Sequence, residues 1–148
     1  MQTTNIENTE NLLITKALTQ LIAVSTQGNN DGFVVFTGEQ EFDFVQYSQG
    51  NHGLSLYWPL KAKNFKEPLL LCKELLDQLG YQEIFLEEKS KSEVFSNIRL
   101  LEYIIVEDGL YAEVGTDAQN LTELTIKLLD KVYQFQDLER LEITLELD

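Results

Sequence analysis

Three short aromatic segments with very little chain between them constrain this sequence most. "FVVF" (33–36), "FDFVQY" (42–47) and "LSLYW" (54–58) are separated only by "TGEQE" and "SQGNHG". Turn-rich links of that length reverse the chain at once, so they join antiparallel neighbours and predict a meander. Both sides of these strands are apolar: Phe33 and Val35 oppose Val34 and Phe36, while Phe42 and Phe44 oppose Val45 and Tyr47. A sheet with one wet face alternates more cleanly. The side assigned to Val34, Phe36, Val45, Tyr47 and Tyr57 is therefore a candidate protein-binding or dimer surface. Left uncovered, it forms an aromatic patch larger than monomers usually expose, built from the residue types that binding hot spots favour. The alternative places the same residues in a two-sided core or a homodimer seam.

Helices flank this meander. The stretch from about Thr4 to Gln27 carries Leu13, Ala17, Leu21 and Val24 on one stripe, with Ile14, Leu18 and Ile22 beside it. That spacing predicts a helix with one buried face, and "QGNNDG" ends it. A second helix is bracketed by Pro68 in its first turn and Gly80 just beyond its end, and Leu69, Cys72, Leu75, Leu76 and Leu79 form its apolar stripe. A third begins at "TDAQ", where Thr116 and Gln119 match a capping box, and runs to about Phe135.

Between the second and third helices, "YQEIFLE" (81–87) reads as a strand and "EEKSKSE" as a charged connection. Residues 97–114 read as a hairpin turning at Glu107-Asp108-Gly109. The last stretch, "LEITLELD", alternates without a fault: Leu141, Ile143, Leu145 and Leu147 against Glu142, Thr144, Glu146 and Asp148. This is a strand with a dry face and an acidic face. Strand 138–147 is expected to pair beside the 97–114 hairpin, in the same chain, with the acids discouraging edge-to-edge association; pairing across a dimer is the alternative. The whole chain, 1–148, then forms a single α+β domain in the order α-β-β-β-α-β-β(-β)-α-β, with residues 1–5 fraying.

Charge and composition narrow the function. Eleven basic residues face twenty-five acidic ones, a formal net charge of −14. Such a surface repels phosphate backbones and anionic lipids, which argues against nucleic acid and membrane as partners. Residues 92–148 hold thirteen of the acids against four basic residues. A lone cysteine, Cys72, fits a reducing compartment, and "MQTTNIENTE" lacks the features of a signal peptide, so a cytoplasmic location is expected. Chemistry is harder to find. The single histidine, His52, sits in a glycine-flanked turn, and Cys72 lies on an apolar helical stripe, so neither offers an activated nucleophile. "NNDG" lacks the alternating carboxylates of a calcium loop, and "EVGTDAQ" lacks the glycines and lysine of a phosphate cradle. No catalytic residue, metal ligand or cofactor is assigned.

The layout resembles a known family. "GLSLYWPL", then "LLDQLGYQE", then a strand pair leading to "LTELTIKLLDKVY", is similar over about residues 5–135 to the class I type III secretion chaperones and the related YbjN-like chaperone folds. It is similar in outline to certain uncharacterised cyanobacterial proteins as well. The resemblance implies a non-enzymatic homodimer that binds extended segments of client proteins. The closing strand departs from that pattern. A protein-binding module of chaperone or adaptor type is the expected function; the alternatives are an acidic decoy of a basic protein and a small enzyme without a recognisable motif.

Overall fold

The computed structural model describes residues 2–25, 32–39, 43–50, 52–59, 66–85, 98–106 and 109–147. Helix α1 spans Gln2–Ser25. The meander follows as β1 (Phe33–Thr37), β2 (Phe44–Gly50) and β3 (Gly53–Pro59). Helix α2 (Lys66–Gln78) leads to β4 (Gln82–Ile84), and the hairpin is β5 (Glu102–Val106) with β6 (Gly109–Gly115). Helix α3 (Ala118–Tyr133), a short 3-10 turn (Leu138–Arg140) and β7 (Glu142–Glu146) complete the described order. The α+β class and the order of elements are those expected from the sequence. The "QGNNDG" turn up to Asp31, Phe42, the "EEKSKSE" connection and the Glu107-Asp108 pair lie outside the described residues.

The strands form one seven-stranded sheet in the order β4-β5-β6-β3-β2-β1-β7. Neighbours are antiparallel except β4 and β5, which run parallel. The closing strand pairs within its own chain, but with β1 at the far edge and not beside the hairpin. Two features account for the difference. The outer edge of β5 is taken by β4. And α3, sixteen residues and so about 24 Å long, spans the roughly 19 Å of four strand spacings from β6 to β7. In the observed register Leu145 opposes Val34 and Ile143 opposes Phe36, which turns the dry side of β7 toward the core.

The three described helices pack on one face of the sheet, in a single core that joins Ile14, Leu18 and Leu21 of α1 to Cys72 and Leu76 of α2 and Leu121 and Leu128 of α3. The buried stripe of α1 is Ile14, Ala17, Leu18 and Leu21, rotated from the expected one, since Leu13 is 51% exposed. Leu79, expected on the stripe of α2, falls in the turn just past its end and is 39% exposed. The cap of α3 is Asp117 in place of Thr116: its carboxylate accepts the Asn120 N–H at 3.2 Å, a carboxylate at the positive end of the helix. Gln134, left-handed at φ 57°, closes the other end as Phe135 N–H reaches Leu129 O at 2.9 Å.

Hydroxyls tie the layers together. Thr125 donates to Leu121 O at 2.7 Å, which leaves its oxygen to accept from the Tyr47 hydroxyl at 2.8 Å. Tyr103 donates to Asp77 Oδ1 at 2.8 Å, fastening β5 to α2, and Tyr133 donates to Phe44 O at 3.0 Å, fastening α3 to β2. Each bond replaces hydration that burial removes.

Candidate protein-interaction surface

The five residues assigned to one candidate face divide between two. Val34, Phe36, Val45 and Tyr47 are fully buried beneath the helices. Tyr57 stands on the opposite side of the sheet, half-buried. The strand pairings explain the split. Tyr47 opposes Leu56, whereas Tyr57 opposes Gln46, and residues one apart on a strand point to opposite faces. Four of the five are thus core, not surface.

The apolar patch exists, on the alternate residues. Away from the helices, one row crosses the sheet as Tyr111, Tyr57, Gln46, Val35 and Thr144, each opposite the next. The neighbouring row runs Glu113, Ser55, Ser48, Phe33 and Glu146. Phe44 adds to the first: its ring lies 6.4 Å from that of Tyr57, which lies 4.9 Å from that of Tyr111. Phe33, Val35, Phe44, Tyr57 and Tyr111 are each half-buried. Among the described residues no helix covers this strip. On the β4–β5–β6 side the same face is buried, in a small separate core of Ile98, Ile104 and Val106 with Ile84 and Tyr111 against it. On the β7 side Glu142, Thr144 and Glu146 are exposed. The half-buried part of the face is thus a mainly aromatic band over β6, β3, β2 and β1 with an acidic border at β7.

Beside the band is a cleft of about 240 Å³ lined by Ser48, Gln49, Gly50, Ser55, Ile98, Tyr111 and Glu113. Glu113 is 97% buried there (3% exposed) and accepts the His52 backbone N–H at 2.9 Å. Gly50 makes room for it: a Cβ at that position would stand 2.6 Å from one carboxylate oxygen and 2.7 Å from the other. Glu113 was legible only as one acid among many, since nothing in "LYAEVG" marks its burial.

The two residues weighed for nucleophilic chemistry are held apart in character. Cys72 is buried among apolar side chains, and desolvation pushes its thiol up to about 12. A thiol so raised is protonated at neutral pH and is not a nucleophile. His52 is exposed in the β2–β3 turn, where its backbone N–H donates to Glu113. No group of three or more histidine, cysteine or acidic side chains among the described residues has the arrangement to hold a metal ion. No described helix is long and apolar enough to cross a membrane. No family model, curated protein or solved structure matches the chain.

Proposed function

We propose that this protein is a protein-binding module of chaperone or adaptor type, acting without catalysis, and that its docking surface is the sheet face opposite the helices. The observation that carries the reading is the band of Phe33, Val35, Phe44, Tyr57 and Tyr111 on a face that no described helix covers. Aromatic side chains gathered on a rigid sheet give a partner large contact area at small entropic cost. Burial of that band contributes roughly 25 cal/mol per Å² before the costs of association are met. The resemblance of the sequence layout to client-binding chaperones supports the same reading. A second copy suits this face less than a foreign partner does. Stacking two copies through it brings Glu142 and Glu146 of each toward the acids of the other, on chains that each carry −14.

The test uses full-length tagged protein to capture partners from the cells that make it, followed by reconstitution with each purified partner. Tyr57→Asp and Phe44→Asp are expected to keep the wild-type circular dichroism spectrum and to weaken the reconstituted complex at least tenfold. Equal affinity in both well-folded variants excludes the face as the docking site.

A further inference from the structure

Glu113 presents an unusual balance of charge. Its carboxylate is almost wholly shielded from water, yet among the described residues it accepts from a single backbone donor, the His52 N–H at 2.9 Å. Among the described residues the ion pair formed is Lys73 with Glu83 at 3.0 Å, joining α2 to β4, and none involves Glu113. An ionised carboxylate taken out of water is costly unless it is paired and hydrogen-bonded, and it has about four acceptor positions to fill. The staple to the β2–β3 turn uses one of them. The carboxylate also borders the cleft of about 240 Å³, with Ser48, Gln49, Ser55, Ile98 and Tyr111.

We infer that this cleft is a cation subsite that receives the ammonium or guanidinium head of a lysine or arginine side chain from the docked partner. The inference rests on the proposed docking face and names the chemistry of its ligand. Charge supplies the first argument: a cation entering the cleft pairs with a carboxylate already held in position, and Ser48 and Ser55, which also line the cleft, carry hydroxyls that can accept N–H groups. Position supplies the second. Tyr111 lines the cleft and also belongs to the aromatic band. Tyr111 and Glu113 are two apart on β6, so their side chains leave the sheet about 7 Å from one another on the same side. An extended peptide repeats its same-side residues at that interval. A segment with an apolar residue two positions from a basic one therefore meets both at once. A free polyamine has no counterpart to the apolar half.

Three short peptides test this by amide NMR on the full-length protein: acetyl-Leu-Ser-Arg-amide, its acetyl-Leu-Ser-Gln-amide counterpart, and spermidine as the free cation. The arginine peptide is expected to give saturable shifts at the His52, Ser55 and Glu113 amides, with affinity at least tenfold above the other two. Glu113→Gln, which preserves the acceptor for His52 N–H, is expected to erase that advantage. Ser48→Lys, which places an ammonium of the chain's own beside the cleft, provides a second variant with the same expected loss. Shifts at Val35 and Tyr57 that do not distinguish arginine from glutamine overturn the cation subsite while leaving the docking face standing. An arginine advantage that survives both variants, or spermidine binding as tightly as the peptide, also overturns it. No shift on this face with any ligand counts against the face itself.

Discussion

The Tyr47 hydroxyl meets Thr125 Oγ1 at 2.8 Å in the interior, with both side chains shielded from water. The bond links β2 to α3, and the Thr125 proton is committed to Leu121 O, so Tyr47 acts as the donor. Tyr47→Phe removes one hydrogen bond but keeps the ring that packs edge-on against Phe36 at 6.2 Å. The expected cost is about 1 kcal/mol in urea unfolding. Tyr47→Asp buries an unpaired charge and is expected to cost 3 kcal/mol or more, roughly, leaving little folded protein. A Tyr47→Asp variant with wild-type stability contradicts the assignment of this residue to the core.

Thiol chemistry provides a second prediction. Cys72 is buried in α2 and its thiol is pushed up to about 12 by desolvation. Reaction with an aromatic disulfide reagent at neutral pH is expected to be on the order of a thousandfold slower in native buffer than in urea, because the group reacts only when the structure opens. Rapid labelling of the native protein shows that α2 is not packed as described.

Alkaline pH tests the buried phenols together. Burial raises Tyr47, Tyr103 and Tyr133 above the ordinary phenol value, the Asp77 carboxylate adding to the effect at Tyr103, and Tyr81 is pushed up to about 12. The folded chain holds these protons more tightly than the unfolded chain does. Their contribution is therefore complete below pH 9, where the Cys72 thiol begins to matter, and is lost as pH rises through 10 toward 12. Each group removes up to about 1.4 kcal/mol per pH unit across its own interval. Thermal melting is expected to show a steep fall in midpoint above pH 10. A flat profile from pH 9 to 12 means that these phenols are solvated.

Removal of the closing strand is the fourth prediction. Leu138, Leu141, Ile143 and Leu145 pack against the core, and β7 covers the edge of β1. Truncation after Phe135 is expected to cost roughly 3 kcal/mol or more from lost apolar burial. It also leaves the β1 edge unpaired, a template for association between chains. Light scattering is expected to find higher-order species in the truncation that are absent from the full-length protein.

The elements were legible in the sequence because each carries its own local signal. The meander was marked by its aromatic runs and turns, α2 by Pro68 and Gly80, and β7 by strict alternation. The faces were less legible. With apolar residues at both Val34 and Val35, and at both Phe44 and Val45, alternation alone does not say which side meets the helices. Only the pairing of Val34 with Leu145 and Tyr47 with Leu56 selects it, and those are contacts between distant segments. The position of β7 was hidden for the same reason, since it depends on the reach of α3 and on β4 already occupying the other edge. Glu113 became distinctive only when Gly50 and the His52 N–H were brought against it.

The most direct measurement is photo-crosslinking with benzoylphenylalanine placed singly at Phe33, Val35, Phe44 and Tyr57 on the sheet face that no described helix covers, and at Leu13 and Glu123 on the exposed side of the helices. Captured polypeptides are then identified in the cells that make the protein. The account predicts one shared set of crosslinked chains from the four sheet positions and none of that set from Leu13 or Glu123. Equal capture from the helix positions, or silence from all four sheet positions in protein shown to be folded, contradicts it.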